Sequence, residues 1–450
     1  SLSRAGQQRD VAGRAGAGAV PDPLRLGLSS FHRAARHHGR FGRTVFAHEG
    51  TIDKYVGDCI MAHFGTPHPR EDDPLRALRC AAAMDLPDYV EAGLAGLERE
   101  CARQILADGG HATRSPEALA EAMIDLSAVE DLMLRLGLNA PSFLTKLLAR
   151  MAPMLSFFTF PGGRLPPVNG GGDGAGGLSA AALAGHGDVA ARFSFARLSG
   201  FQKITADRLT VLMDTGAAPE LELGGRAHAG ILGLQIFDGA EALVTSCGAH
   251  ASMAPVLREA ARRTPAHSTL TLDGLDSAEF ELCEDTGLRA PIGPEGVSAR
   301  RLEENDQHLI EGQHGAWRAS HGLLCRRRIY VSRDGARITG EDSLSRPVSE
   351  TAPVTNPVAP YAIRFHLHPD VEVAPGPDDR TVFLGLPREK KIWRFRAETL
   401  PVIQDSRYWG DGGAKATKQI VVAAEASALG DGSKAPNRMR WAFSRVDSVA

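Results

Sequence analysis

The 450-residue sequence lacks the marks of a disulfide-rich or membrane-spanning protein. No stretch approaches the roughly 20 apolar residues that a helix needs to cross a bilayer. The few cysteines are scattered and form no Cys-x-x-Cys pair, which favours reduced or buried thiols over a disulfide framework or a zinc ribbon. The sequence therefore predicts no transmembrane segment and no cross-links. The cysteines are Cys59, Cys80, Cys101, Cys247, Cys283 and Cys325.

The sequence also has no excess of positive charge and no apolar leader. A formal net charge of -3 argues against nucleic acid as the main partner, because phosphate binding needs a clustered basic surface. A local basic patch could still hold an acidic sugar polymer. Residues 1–20 are rich in Arg, Gly and Ala without the apolar core of a secretion signal, so a chain that starts at Ser1 is expected in the cytoplasm. The composition indicates no particular oligomeric state.

The N-terminal part of the sequence divides into a weakly patterned segment and a short hairpin. Residues 1–45 carry Gly, Ala, Arg and His without periodicity, which predicts a poorly ordered segment with few long-range contacts. Residues 51–65, TIDKYVGDCIMAHFG, place β-branched and apolar residues around a central Gly-Asp. This pattern predicts two strands joined by a tight turn. We assign 46–86 to this small α/β unit, with a helix expected after Pro74.

Helical periodicity dominates residues 91–160 in three stretches, each with a start or stop signal. Gly109 and Gly110 end the first stretch, Ser115 and Pro116 cap and open the second, and Ser142 opens the third. Two or three antiparallel helices joined by short loops fit this spacing. The apolar positions are Leu94, Leu97, Cys101, Ile105, Leu119, Met123, Leu126, Val129, Phe143, Leu147, Met151 and Leu155.

A Gly-rich linker, 161–190, separates these helices from a segment rich in short strands. It contains GGRLPPVNGGGDGAGGL and is too long for a simple connection, which predicts a functional or mobile loop. From 191 to 446, runs such as TVLMDTG, AGILGLQIF and KIWRFR recur between turn residues. Many strands at regular spacing predict an antiparallel β-sandwich rather than βαβ units. The predicted fold class is therefore multidomain α+β, with a small α/β unit, helices and a large sandwich.

Residues 47–84 resemble the central stretch of a class III nucleotidyl cyclase domain. The run DKYVGD, followed by MA and FG, carries the resemblance. It implies that Asp58 matches a metal-binding carboxylate and that Lys54 matches a residue that helps to read the purine. Cyclase chemistry needs two carboxylates to hold two Mg²⁺ ions, and Asp10 and Asp22 stand in the wrong context to supply the second. We interpret the stretch as an inert remnant in which Lys54 and Asp58 are turn residues; Mg²⁺ would matter only if it were active.

Residues 91 to about 445 resemble bacterial heparinase II/III-like proteins. The segments LERECARQILADGGHATRSPEAL, FQKITADRLTVLMDTG, RAHAGILGLQIFDGAEALVTSCG and YAIRFHLHPDV carry this second resemblance. It implies a partial α/α toroid followed by an antiparallel β-sandwich. It also implies an acidic polysaccharide such as a glycosaminoglycan as partner, and a periplasmic or cell-envelope location. Characterised members of that family are lyases that cleave acidic glycans beside a uronic acid.

The lyase reaction is a β-elimination, which needs one group to neutralise the uronate carboxylate, a base for the C5 proton and an acid for the leaving oxygen. The family motif His-x-His-Ala-Asp matches RAHAG, so Arg226 stands at the catalytic His. We predict that Arg226 binds the carboxylate bidentately and that His228 and His267 take part in substrate binding or proton transfer. Asn169 is predicted to contact the carboxylate; the alternative is a turn Asn beside glycines.

The resemblance also implies a zinc site in some members, held by two His and an Asp. His228 and His267 match the two His, whereas Ser246 stands where those members supply Asp. Because zinc wants at least three protein ligands, we prefer two hydrogen-bonded histidines at strand ends, with zinc as the alternative. The family's catalytic Tyr belongs to the toroid, and the helical segment here contains only Tyr89.

Three functions stay open on the sequence. The leading one is a polysaccharide lyase, or a degenerate relative, acting on uronic-acid-containing glycans. The second is a non-catalytic glycan-binding β domain, which the missing toroid Tyr favours. The third is a cyclase-related signalling protein, which the missing metal-binding Asp opposes. The basic run 326–328 could also bind a glycan, but alternation along a strand would point Arg327 away from Arg326 and Arg328.

Overall fold

The computed structural model describes most of the chain from residue 30 onward. The described residues are 30–34, 38–56, 59–64, 76–77, 79–80, 87–135, 137–173, 177–187, 189–250, 252–304, 307–347, 357–410 and 413–446. Their helices are α1 (His38–Ala47), α2 (Pro87–Gln104), α3 (Pro116–Arg135), α4 (Ser142–Phe158), α5 (Leu178–Leu183), α6 (Pro255–Ala261) and α7 (Arg318–His321). None of these helices is both long enough and apolar enough to cross a membrane.

The strands follow the same chain order. They are β1 (Ser30–Ala34), β2 (Thr51–Val56), β3 (Cys59–His63), β4 (Phe195–Ala196), β5 (Phe201–Ala206), β6 (Leu209–Asp214), β7 (Leu234–Asp238), β8 (Glu241–Thr245), β9 (Leu270–Leu272), β10 (Glu279–Leu282), β11 (Arg289–Ile292), β12 (Ser298–Glu304), β13 (Gln307–His314), β14 (Leu324–Ser332), β15 (Arg337–Ser345), β16 (Val358–Leu367), β17 (Glu372–Pro375), β18 (Thr381–Leu386), β19 (Lys391–Ala397), β20 (Val402–Gly410), β21 (Gly413–Ser427) and β22 (Arg438–Val446).

Two large antiparallel sheets pack face to face, which confirms the predicted β-sandwich. A nine-stranded sheet has the order β20-β21-β16-β8-β7-β6-β5-β4, with β9 paired to β16. An eight-stranded sheet has the order β12-β13-β14-β15-β22-β19-β18-β17. Every second residue of β14 is buried, as expected for a strand with one face on the core. Aromatic rings fill the space between the sheets, with Phe365 and Trp441 meeting edge to face at 4.7 Å between centroids.

The helices cover the other face of the nine-stranded sheet. All residues of β6, β7 and β8 are buried, because one face packs on the second sheet and the other on the helices. Phe158 at the end of α4 meets Phe201 at 5.1 Å between ring centroids, and Phe160 stacks on Phe237 at 4.1 Å. The helical segment and the sheet therefore share one apolar core.

The predicted start signals of the helices are confirmed. α3 begins at Pro116, and the Ser115 hydroxyl accepts a hydrogen bond from the backbone N–H of Ala118 at 3.4 Å. α4 begins at Ser142 as predicted. Within 161–190, predicted as a linker, residues Leu178–Leu183 instead form α5, because an Ala-rich run follows the glycines. His186, just after α5, contacts the hydroxyl of Ser127 in α3 at 3.0 Å.

The N-terminal unit contains the predicted hairpin together with a strand and a helix that the sequence analysis does not predict. β2 and β3 pair as the predicted antiparallel hairpin, with Thr51 opposite His63. Within 1–45, predicted as poorly ordered, the described residues form β1, which pairs with β3, and the start of α1 at His38; the rest of that segment lies outside the described residues. The sequence missed them because polar His and Arg side chains hide the pattern of an edge strand. Lys54 lies on β2, whereas Asp58 falls outside the described residues.

Candidate functional site

Asn169 joins the helical segment, the Gly-rich loop and the β-sandwich at one point. Its carboxamide oxygen accepts the backbone N–H of His228 at 3.1 Å, and its NH₂ donates to the carbonyl of Arg114 at 3.0 Å. The residue is 2% exposed and takes a left-handed backbone conformation with φ 48°. Asn tolerates this conformation better than most residues. Both ends of the amide thus bind backbone groups, and Asn169 holds the segment that carries His228.

Arg226 lies beside Asn169, at the end of the 3₁₀ turn Leu221–Arg226. Its guanidinium Nη1 is 3.4 Å from a carboxylate oxygen of Glu121 on α3. A Cβ on Gly170 would come within 2.9 Å of the Arg226 Cβ, so the loop passes directly over this side chain. The Arg226 side chain is 28% exposed. A part of this side chain therefore reaches solvent at the boundary between helices and sandwich.

His228 and His267 face each other below this loop. Their ring centroids are 5.2 Å apart with an interplanar angle of 59°. The Ser246 hydroxyl accepts a hydrogen bond from the Gln235 amide at 3.0 Å and lies 3.1 Å from His267 Nδ1. Burial lowers the pKa of His267 to about 3, and burial with neighbouring His267 and Arg262 lowers the pKa of His228 well below its usual value. Both imidazoles are therefore neutral at neutral pH.

The donor set around these imidazoles does not fit zinc. His228 Nδ1 and His267 Nε2 are buried without a hydrogen-bond partner, so two nitrogens are available. The third group at hand is the Ser246 hydroxyl, and nowhere in the described chain do three His, Cys, Asp or Glu side chains gather as a metal site. A side chain at Gly230 has no room either, because its Cβ would lie 2.9 Å from the His267 ring. Two neutral donors leave zinc short of a tetrahedral set.

Glu117, near the start of α3, is a charged neighbour that sequence reasoning missed. One carboxylate oxygen accepts the backbone N–H of Gly172 at 2.6 Å. Burial raises the pKa of Glu117, while this hydrogen bond and Arg226 act in the opposite direction. An acid after Pro116 is an ordinary feature of a helix start, so nothing in the sequence singles it out.

A second polar cluster lies on the far side of the same loop. Arg164 Nη1 is 3.1 Å from His368 Nε2, and the His368 ring contacts the Tyr408 ring at 5.0 Å between centroids. The Tyr408 hydroxyl bonds to the Asp173 carboxylate, and burial above all raises the pKa of Tyr408. His368 directly follows β16 and Tyr408 lies on β20, and the two meet because both strands pair with β21.

The structure thus brings Asn169, Arg226, His228 and His267 into one region. We call this region the junction. It comprises loop 164–173, the start of α3, residues 226–230, His267 and the ends of β20 and β21 with His368. The Arg226 side chain is partly exposed, whereas His228, His267 and Asn169 are buried. Their catalytic roles stay predictions.

Comparison with known proteins finds heparinase-like relatives of the chain. A family model described as "Heparinase II/III-like, C-terminal" matches residues 188–442. FtsZ-localized protein C of Caulobacter vibrioides is 30% identical over 370 residues, which cover 80% of this chain and 62% of that protein. This chain therefore spans less than two thirds of that relative's length.

Solved structures agree with the fold. A mutant of heparan sulfate lyase HepC from Pedobacter heparinus superposes with a TM-score of 0.63 at 14% identity, covering 86% of this chain and 61% of that one. A structure titled Heparinase III gives a TM-score of 0.61 at 13% identity, covering 82% and 60%. At such identities the similarity concerns the fold.

Proposed function

The chain belongs to the heparinase II/III-like family, and from that premise we propose that it binds uronic-acid-containing acidic glycans at the junction, as a polysaccharide lyase or a degenerate relative of one. The observation that carries this proposal is Arg226. Its partly exposed side chain lies where the helices meet the sandwich, and a guanidinium can bind a carboxylate through two parallel hydrogen bonds. Glu121, at 3.4 Å, orients the Arg226 side chain from the helical side.

Turnover at this site would be β-elimination, with Arg226 offsetting the charge of the uronate as the C5 proton leaves. The neutral imidazoles of His228 and His267 are in the form that accepts a proton. A pKa of about 3 makes His267 a weak base in the free protein. A bound carboxylate nearby would raise that pKa, because a negative charge favours the imidazolium. Asn169 acts as a positioning residue through its bond to the His228 backbone.

An elimination assay distinguishes a lyase from a binding protein. The full chain is incubated with heparan sulfate oligosaccharides, and the absorbance of the unsaturated uronate product is followed. If the chain is a lyase, unsaturated product forms, and its rate of formation should fall at least tenfold in Arg226→Ala, the scale expected when a charged contact to the reacting group is lost. Arg135→Ala is the control, since Arg135 is 76% exposed on the outer side of α3. Oligosaccharide binding without product would identify a glycan-binding relative.

The relative from Caulobacter vibrioides supports a second candidate, a role in association with FtsZ. Its 30% identity exceeds the 13–14% of the solved lyases, and its name records that it localises with FtsZ. Co-sedimentation of the chain with FtsZ polymers tests this role. A chain that stays in the supernatant would contradict it. The glycan function would place the protein in the periplasm or cell envelope, which cell fractionation tests.

We also propose that the cyclase-like stretch is inert. Its described part is a hairpin flanked by β1 and α1, with Lys54 on β2. Titration with ATP or GTP in the presence of Mg²⁺ should show no binding and no cyclic product. Cyclase activity that Asp58→Ala abolishes would contradict this.

A further inference from the structure

We infer that Arg164 forms a second anion-binding subsite of the junction, which holds the carboxylate or sulfate of a neighbouring acidic sugar. The identity of the ligand rests on the proposed glycan function. The site itself rests on how the Arg164 side chain is held.

Arg164 is fixed by a neutral acceptor rather than by a carboxylate. Because a guanidinium can only donate, His368 Nε2 must accept the bond from Arg164 Nη1 at 3.1 Å. His368 is 3% exposed, and burial lowers its pKa to about 4, so the ring stays neutral and keeps that acceptor. Among the described residues Arg164 makes no ion pair. The Arg164 guanidinium is therefore held by an uncharged acceptor, whereas Arg226 has a carboxylate partner in Glu121.

Two carboxylates lie near Arg164. Asp173 accepts the hydrogen bond of the buried Tyr408 hydroxyl, and Asp370 pairs with Arg388 at 3.0 Å and lies 3.7 Å from His368 Nδ1. Lys415 stands opposite Tyr408 in the register of β20 and β21, is exposed, and adds its positive charge near His368. The cations Arg164, Arg388 and Lys415 therefore outnumber these two carboxylates by one, which favours an added anion.

The same loop connects this subsite to Arg226. Its two ends are tied by a hydrogen bond from the N–H of Leu165 to the carbonyl of Asp173 at 3.1 Å. At its other side, Gly170 contacts Arg226, and Gly172 donates to Glu117. Two arginines therefore flank one closed loop, an arrangement suited to a polymer that carries repeated acid groups.

The experiment compares wild-type chain with Arg164→Gln and the control Arg135→Gln, using two kinds of probe. Inorganic sulfate and glucuronate ions report on the individual anion sites at Arg164 and Arg226, through the rise in melting temperature on binding. A heparan sulfate tetrasaccharide reports on the whole junction by calorimetric titration. We expect Arg164→Gln to lose the part of the ion-induced rise in melting temperature that Arg164 provides. It should also bind the tetrasaccharide about tenfold more weakly, the scale of one lost charged contact. A stronger response to sulfate than to glucuronate identifies a sulfated sugar as the ligand.

His368 variants test the positioning role. His368→Gln retains a side-chain acceptor and should bind near wild type, whereas His368→Leu should lose affinity as Arg164→Gln does while remaining folded by circular dichroism. Ion and tetrasaccharide responses that are equal in wild type and Arg164→Gln would overturn the subsite and leave the glycan function standing. An Arg164-dependent ion response without any oligosaccharide binding would instead uphold the subsite and defeat the glycan function.

Discussion

Two arginines show how burial decides what a guanidinium does in this protein. Arg327 on β14 is 0% exposed and makes a bidentate bond to Asp342, at 2.7 and 3.1 Å. Its remaining donors reach the carbonyls of Leu232 and Ser268, each at 2.8 Å, on the nine-stranded side of the core. Arg226 has a looser partner and an exposed part. The buried arginine ties the two sheets together, whereas the partly exposed one is the residue that we propose binds a glycan carboxylate.

We expect Arg327→Ala to lower the free energy of unfolding by about 3–5 kcal/mol, because it leaves the Asp342 carboxylate buried without its partner. Arg337→Ala, an exposed position at the start of β15, serves as the control and should change it by less than about 0.5 kcal/mol. Equilibrium denaturation with urea measures both. Equal losses in the two variants would contradict the assigned role of the buried pair.

The histidine pair yields a prediction about metal. The wild-type chain should purify with far less than one zinc per molecule, and a chelator should leave its melting temperature unchanged, because among the described residues His228 and His267 have no third His, Cys, Asp or Glu beside them. Ser246→Asp, which places a carboxylate beside His267, should raise zinc content and make the melting temperature depend on zinc. Elemental analysis measures the zinc content of both proteins. One zinc per molecule in the wild type would contradict the conclusion that its two imidazoles are too few to hold the metal.

At the level of elements, the loop that crosses the junction depends on glycine at a close approach. Gly170 has φ +82°, and a Cβ there would lie 2.9 Å from both the Cβ and the carbonyl oxygen of Arg226. Gly185 has nearly the same backbone, φ +84°, yet no described atom lies within 4 Å of its Cβ position. The two positions share the backbone strain of a left-handed conformation, and the contact with Arg226 distinguishes them.

Gly185→Ala should therefore cost about 1 kcal/mol of stability from strain alone, and Gly170→Ala more, about 2–4 kcal/mol, since its new methyl group also displaces Arg226. Gly170→Ala should in addition weaken glycan binding, while Gly185→Ala should leave it unchanged. Thermal unfolding and calorimetric titration measure the two effects. Equal behaviour of the two variants would show that the loop does not position Arg226.

The sequence predicts local elements better than the contacts between them. Ser115 and Pro116 mark the start of α3, and alternation along β14 correctly turns Arg327 away from its neighbours, because both signals lie within a few residues. The clustering of Arg226, His228 and His267 followed from family resemblance. Glu117 and Tyr408 could not be found this way, since their hydrogen-bond partners Gly172 and Asp173 lie more than 50 residues away.

For the whole molecule, buried neutral histidines make stability depend on pH. In the unfolded chain each imidazole has a pKa near 6.5, and burial lowers it in the folded protein. Below about pH 6.5 the unfolded state binds more protons, so stability is complete above that pH and is lost as pH falls toward the folded pKa. The affected residues are His111, His366 and His368, with pKa about 4, His267 and His314, with pKa about 3, and His228.

Each such histidine lowers the free energy of unfolding by up to about 1.4 kcal/mol per pH unit as the pH falls from about 6.5 toward its folded pKa. Urea unfolding at pH 7.5 and pH 5.5 should therefore show a loss of several kcal/mol at the lower pH, before most carboxylates begin to titrate. His314→Gln should reduce the slope, because one of the depressed groups is removed. A urea midpoint that stays constant between the two pH values would contradict the buried, neutral assignment.

The central claim is that the junction binds acidic glycans through Arg226, and its most direct measurement is calorimetric titration of the full chain with a heparan sulfate oligosaccharide at physiological salt. Wild type and Arg135→Ala should bind with equal affinity. Arg226→Ala should bind at least tenfold more weakly, since a carboxylate contact of about 1.4 kcal/mol or more is lost. Wild-type protein that does not bind, or binding that is the same in Arg226→Ala, would contradict the account.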